Sequence, residues 1–387
     1  MNEASDARLD LLESYLRQDP GNGRLLREAF EAALALRYWE RAEFHLRHAL
    51  ALGREPLAWR LRECDWLLAQ RRFAEARSAL GALRSAQEAP DALHDAVAHD
   101  LAYIAFEERD YGGCAALLAP RIEARTGATA PASQVLWLRA LHRAGELERG
   151  LQWAAAAEQR GMLHPLAAGV ASLLAVDGDD LPAARRWAGT ALEATGGASM
   201  EALLARSTLA LSDQDAGMAR DAADAALQIN GSDGRAWSAR AFANMLAGDL
   251  LRAGEDFDRA VDHMPGHIGT WLGRGWALLL RGEVEAARAS FEAALAIDRN
   301  FGESHGALAV VAATTGDREQ AEQHLQRALR LDAAALSAHY AQAILAGRVR
   351  DPELLQRLLQ RALRASQAVG GTSSRTTMPS SSGRGAG

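Results

Sequence analysis

Between Gly234 and Ala335 the chain reads GRAWSARAFANMLAGDLLRAGEDFDRAVDHMPGH (234–267), IGTWLGRGWALLLRGEVEAARASFEAALAIDRNF (268–301) and GESHGALAVVAATTGDREQAEQHLQRALRLDAAA (302–335). These three blocks align at a spacing of 34 residues without an insertion. Trp237 is followed by Trp271 and His305, Gly248 by Gly282 and Gly316, Ala253 by Ala287 and Ala321, Phe257 by Phe291 and Leu325, and Ala260 by Ala294 and Ala328. A glycine can take the left-handed conformation that stops a helix without a Cβ clash, so each block divides into two helices at Gly248, Gly282 or Gly316. Asp249 and Asp317 then stand where the second helix exposes its first free N–H groups. Small residues at Ala241, Gly275 and Ala309 allow the first helix to approach the second, where Phe257 and Phe291 fill the groove beside Ala253 and Ala287. Helices shorter than about 12 to 15 residues are marginal alone in water, so stacking of neighbours has to hold the array.

The early Trp, the small residue four positions on, the Ala-x-x-x-Phe-x-x-Ala run of the second helix and the closing Pro265 resemble the tetratricopeptide repeat. The resemblance implies an all-α fold, a TPR-like α-solenoid in which antiparallel helix pairs wind into a right-handed superhelix. It also implies a non-enzymatic scaffold or adaptor that binds a protein or peptide partner through its concave face. A chaperone-like or substrate-recruiting subunit of a bacterial secretion or surface-appendage machine is the alternative. No cofactor is expected.

The chain has 387 residues with a formal charge of −7, and every one of its 43 basic residues is arginine. That balance argues against nucleic acid, whose binding draws on basic patches that neutralise phosphate. Charge is uneven: residues 177–233 carry ten acids against four arginines, and residues 340–387 carry seven arginines against two acids. Cys64 and Cys114 are the two cysteines, too few for a disulfide framework or a cysteine zinc site. No run approaches the roughly 18 apolar residues of a membrane span, and the acidic N-terminus has no signal-peptide core, which leads to a cytoplasmic expectation.

Traced outward, the pattern places block starts near 23, 57, 95, 131, 165, 200, 234, 268, 302 and 336. The expected organisation is a capping helix in residues 1–22, divergent repeats in 23–199, well-formed repeats in 200–365 and a disordered tail in 366–387. Leu9, Leu12 and Leu16 form one side of the capping helix. Gln87 to Pro90 and Thr126 to Pro131 read as longer loops. A final helix from Pro352 to Ala365 carries leucines that admit a homodimer contact.

Carried over from the resemblance, the groove positions of the first helices are Phe242 and Met245, Leu272, Trp276 and Leu279, Val310, and Tyr340 and Ile344. Either they bind a partner or they pack against adjacent first helices. Arg206, Arg240 and Arg274 stand 34 apart where the family has leucine. They form either an anion-binding ladder, since guanidinium forks onto carboxylates, or a row of stems covering apolar surface with heads reaching acids such as Glu255 and Asp221. His45 and His48 are a weak metal pattern, and no constellation points to catalysis.

Overall fold

The computed structural model describes residues 2–86, 90–123 and 129–348. Among them are twenty α-helices and no strand. They run α1 (Asn2–Gln18), α2 (Gly23–Ala35), α3 (Trp39–Ala51), α4 (Pro56–Ala69), α5 (Phe73–Arg84), α6 (Asp91–Glu107), α7 (Tyr111–Ile122), α8 (Pro131–Ala144), α9 (Leu147–Gln159) and α10 (Pro165–Asp177). They continue as α11 (Leu181–Ala194), α12 (Met200–Ser212), α13 (Ala216–Ile229), α14 (Gly234–Leu246), α15 (Leu250–His263), α16 (Ile268–Leu280), α17 (Val284–Ile297), α18 (Gly302–Thr314), α19 (Arg318–Leu331) and α20 (Leu336–Leu345). The expected helix at 352–365, the tail at 366–387 and most of the two expected loops lie outside the described residues. The described residues form two compact units, divided within α8 after Ala140.

In the first unit α1 lays Leu9, Leu12 and Leu16 against Leu26, Phe30 and Leu46, and the same core runs on through Trp59, Leu80 and Ile104. In the second unit each helix from α9 to α20 packs on the next in the chain, as an α-solenoid requires.

The turn that separates first from second helices has one conformation throughout. Gly248, Gly282 and Gly316 have φ of +83°, +80° and +81°. In earlier turns the same left-handed position holds Arg37, Arg71, Arg109, Asp179 and Gln214, side chains that pay a steric cost there. The expected caps form: Asp249 accepts a hydrogen bond from the Arg252 N–H at 3.2 Å and Asp317 from Gln320 at 3.0 Å. Asp110, Asp180 and Asp215 do the same for α7, α11 and α13.

The Trp column has a second purpose beyond packing. Trp237 and Trp271 each donate the indole N–H to the carbonyl six residues earlier, Gly231 and Pro265, both at 2.8 Å. His305 and His339 repeat the contact through Nε2 to Arg299 and Ala333, at 3.1 and 3.0 Å. Each ring ties its first helix to the turn that delivers it.

Gly275 shows how close the paired helices come. A Cβ there would sit 2.3 Å from the Phe291 ring, and one at Gly273 would sit 2.6 Å from Phe257. Gly275→Ala is therefore expected to lower the thermal unfolding midpoint, because overpacking costs about 1–3 kcal/mol while the gain in helix propensity returns about 1 kcal/mol. A midpoint equal to or above that of the parent would refute the close approach.

Candidate functional site

Most of the apolar strip expected to line a groove is inside the molecule. Phe242, Met245, Leu272 and Trp276 are 3 to 5 % exposed and Val310 is fully buried. Phe242 meets Phe257 edge-on at 5.0 Å, and Trp276 meets Phe291 at 5.5 Å, so these rings fill the space between first and second helices. Leu279, Tyr340 and Ile344 remain half-buried. Tyr340 of α20 lies 6.5 Å from Trp276 of α16, a contact that skips α18. Burial raises the Tyr340 phenol above its ordinary value, and its hydroxyl has no hydrogen-bond partner among the described residues.

A second contact skips a helix pair in the same way. Arg235 at the start of α14 reaches Asp177 at the end of α10, 3.1 and 3.2 Å from its two carboxylate oxygens, and His142 of α8 binds the same carboxylate. Burial alone would raise Asp177, but the Arg235 charge and the His142 hydrogen bond outweigh it and hold the carboxyl below its usual range. This polar staple escapes a repeat-by-repeat reading because its partners are 58 residues apart.

The three arginines do not form one ladder. Arg240 donates from Nε and Nη2 to both oxygens of Asp256, at 3.0 and 2.7 Å, and from Nη1 to Asp224 at 2.9 Å. Its guanidinium also lies 4.4 Å from the Trp237 ring centre. Asn244 completes the coordination of Asp256 at 2.8 Å. Arg274 donates to Asp258 and to the Ser290 hydroxyl, each at 2.7 Å. The acids are therefore Asp224, Asp256 and Asp258, sixteen residues before or after their arginine, and not Glu255 or Asp221. Sixteen residues either side of Arg206 stand Thr190 and Ala222, which carry no charge. Arg206 is exposed and makes no ion pair among the described residues.

Two acids on first helices of the first unit were not singled out by sequence. Burial, reinforced by the neighbouring charge of Asp65 on α4, raises Asp100 of α6 to about 7. Asp65 occupies the same register relative to its turn as Trp276 does, six residues before the left-handed position, and that spacing is the signal that would have found it. Cys64 and Cys114 are buried, with thiols pushed up to about 12 chiefly by desolvation, so they pack as small apolar residues. His45 binds Glu13 through Nε2 at 3.0 Å, while His48 lies beside Phe44. No helix of the described residues is long and apolar enough to cross a membrane.

The difference within the arginine column is measurable. Arg240→Leu strands the nearly buried Asp256 with Asn244 alone and is expected to cost about 1–3 kcal/mol, read as a lower denaturant midpoint. Arg206→Leu, which breaks no ion pair or hydrogen bond among the described residues, is expected to stay within about 0.5 kcal/mol of the parent. Equal losses from the two variants would contradict the assignment.

Comparison with known proteins completes the description. Residues 268–301 and 302–334 each match the family model described as tetratricopeptide repeat. No curated protein is significantly similar in sequence. Among solved structures, a monomeric mutant of IFIT1 with m7Gppp-AAAA superimposes with a TM-score of 0.55 at 13% identity, over 89% of this chain and 90% of that one. A tetratricopeptide repeat protein from Parabacteroides merdae gives 0.44 at 15% identity, covering 70% of this chain and 99% of its own. YrrB, described as a TPR protein with an unusual peptide-binding site, gives 0.37 at 18% identity over 49% and 96%. Residues 268–334 are thus matched in sequence by two tetratricopeptide repeats, and the described residues outside them are helical as well.

Proposed function

We propose that this scaffold takes its protein partner on the half-buried side chains of the first-helix strip, Leu279 of α16 and Tyr340 and Ile344 of α20. The observation that carries the reading is the change in exposure along the strip. Phe242, Met245, Leu272, Trp276 and Val310 are spent on internal packing, whereas the last three keep surface for a ligand. Tyrosine suits such a place, since its ring supplies contact area at little entropic cost and its hydroxyl can serve a peptide carbonyl. The partner that fits is a peptide segment presenting apolar side chains, the mode in which repeat grooves and other helical clefts recognise their ligands. The formal charge of −7 favours such a partner over nucleic acid.

The test is capture of partners from the cells of origin, with identification by mass spectrometry. The double variant Tyr340→Ser and Ile344→Ser is expected to lose capture by tenfold or more, equivalent to about 1.4 kcal/mol, with an unchanged helical circular dichroism spectrum. Trp276→Ser is expected instead to lower the unfolding midpoint, since truncating a buried aromatic costs about 3–5 kcal/mol. Undiminished capture by the double variant would place the partner elsewhere.

A further inference from the structure

Three columns of the 34-residue pattern change together in the block that begins at Gly302. Trp237 and Trp271 give way to His305, Arg240 and Arg274 to Leu308, and Asp256 and Ser290 to His324. With leucine at 308 there is no guanidinium for the second-helix residue to serve. His324 of α19 instead faces His305 of α18, Nδ1 to Nδ1 at 3.2 Å, with ring centres 5.4 Å apart. The Arg299 carbonyl can only accept, so His305 must carry its proton on Nε2 and leave Nδ1 a bare acceptor. His324 then donates from Nδ1. Two neutral imidazoles thus join the first helix to the second where the preceding blocks use arginine with aspartate or serine.

We propose that His305 and His324 form an acid-released clasp, closed while at least one ring is neutral and opened when both are protonated. Two imidazoliums would set two N–H groups head to head across the 3.2 Å gap. A single added proton leaves the bond intact, because the ring still neutral can offer a bare Nδ1 to the charged one; the second proton releases the clasp and leaves His305 with an Nδ1–H that has no acceptor. At 4 % exposure it has no water to turn to. The charged groups that bear on the pair are Arg288 of α17 and Arg327 of α19, both cationic, and α16 and α20 add none. Burial is the chief cause that lowers the proton affinity of both rings; for His305 the Arg299 carbonyl opposes it and Arg327 adds to it, and for His324 the His305 ring, Arg288 and Arg327 add to it. The sign follows. The folded pair binds fewer protons than the unfolded chain, so its contribution is complete above about pH 6.5 and is lost as the pH falls below that value.

The full chain provides its own controls, because the column supplies replacements: His305→Trp restores the ring of the two preceding blocks, and His324→Ser restores Ser290's residue type. Buried His45 and half-buried His99 also have lowered proton affinity, so acid weakens the parent at other places too. The comparison is therefore of differences. Thermal midpoints are measured at about pH 7.5 and about pH 5.5 for parent and variants, and the ring nitrogens are titrated by NMR. The fall in midpoint on acidification is expected to be smaller by about 2–4 °C in either variant, the shift that 1 kcal/mol produces in a domain of this size. His305 is expected to keep a bare Nδ1 at pH 6.5. The clasp is disproved if both variants lose as much as the parent, or if His305 titrates at its ordinary value. Should His305→Trp fail to fold, His324→Ser and the titration decide.

Discussion

The helices of the regular repeats cannot stand alone. The second helices α13, α15, α17 and α19 are 14 residues long and their first helices 13, at the margin of independent stability, so each must cover its apolar stripe with a neighbour. The covering is done at short range. Alanine at 253, 287 and 321 and glycine at 273 and 275 bring backbones together, and the Phe257 and Phe291 rings lie against that bare backbone. What a larger core achieves with many leucines is achieved here by proximity, which leaves little tolerance: a single methyl at Gly275 meets a ring with no room to turn.

The same economy governs the side on which first helices meet. Residues 167–176 of α10 and 304–312 of α18 are buried without exception, something a helix with one solvent face cannot show. Contacts that skip a helix pair account for it, with Asp177 and Arg235 closing one place and Trp276 and Tyr340 another. Glu303 adds a contact between consecutive first helices, its two oxygens accepting the Leu336 and Ser337 N–H groups at 2.7 and 3.1 Å to cap α20. A face filled in this way stabilises the array and gives up most of the surface that a groove would offer.

The sequence made the helix-pair architecture legible because its punctuation is local. A glycine stop followed by an aspartate cap is readable within two residues, and the turns at Gly248 and Gly316 have that form. Where Arg37, Arg71, Arg109, Asp179 and Gln214 take the left-handed position, stacking imposes a conformation their own propensity opposes, and only spacing reveals the turn. The arginine partners were misplaced for a reason of phase. Glu255 and Asp256 differ by about 100° around α15, and the choice depends on how the second helix is rotated against the first, a tertiary quantity. The burial of Phe242 and Trp276 was equally out of reach, since an apolar residue at a groove position reads the same whether a partner or Tyr340 covers it.

The paired columns also say where recognition can reside. Asp256 is sustainable at 8 % side-chain exposure because Arg240 and Asn244 bind it; a buried carboxylate opposite Leu308 would have no such partner. The block from Gly302 carries histidines at both ends of the contact instead, and the column changes as a unit. Residues bound into such pairs are answerable to one another and are poorly placed to answer to a ligand. Along the first-helix strip the side chains left outside such pairs with surface to spare are Leu279, Tyr340 and Ile344, which is why the proposed function rests on them.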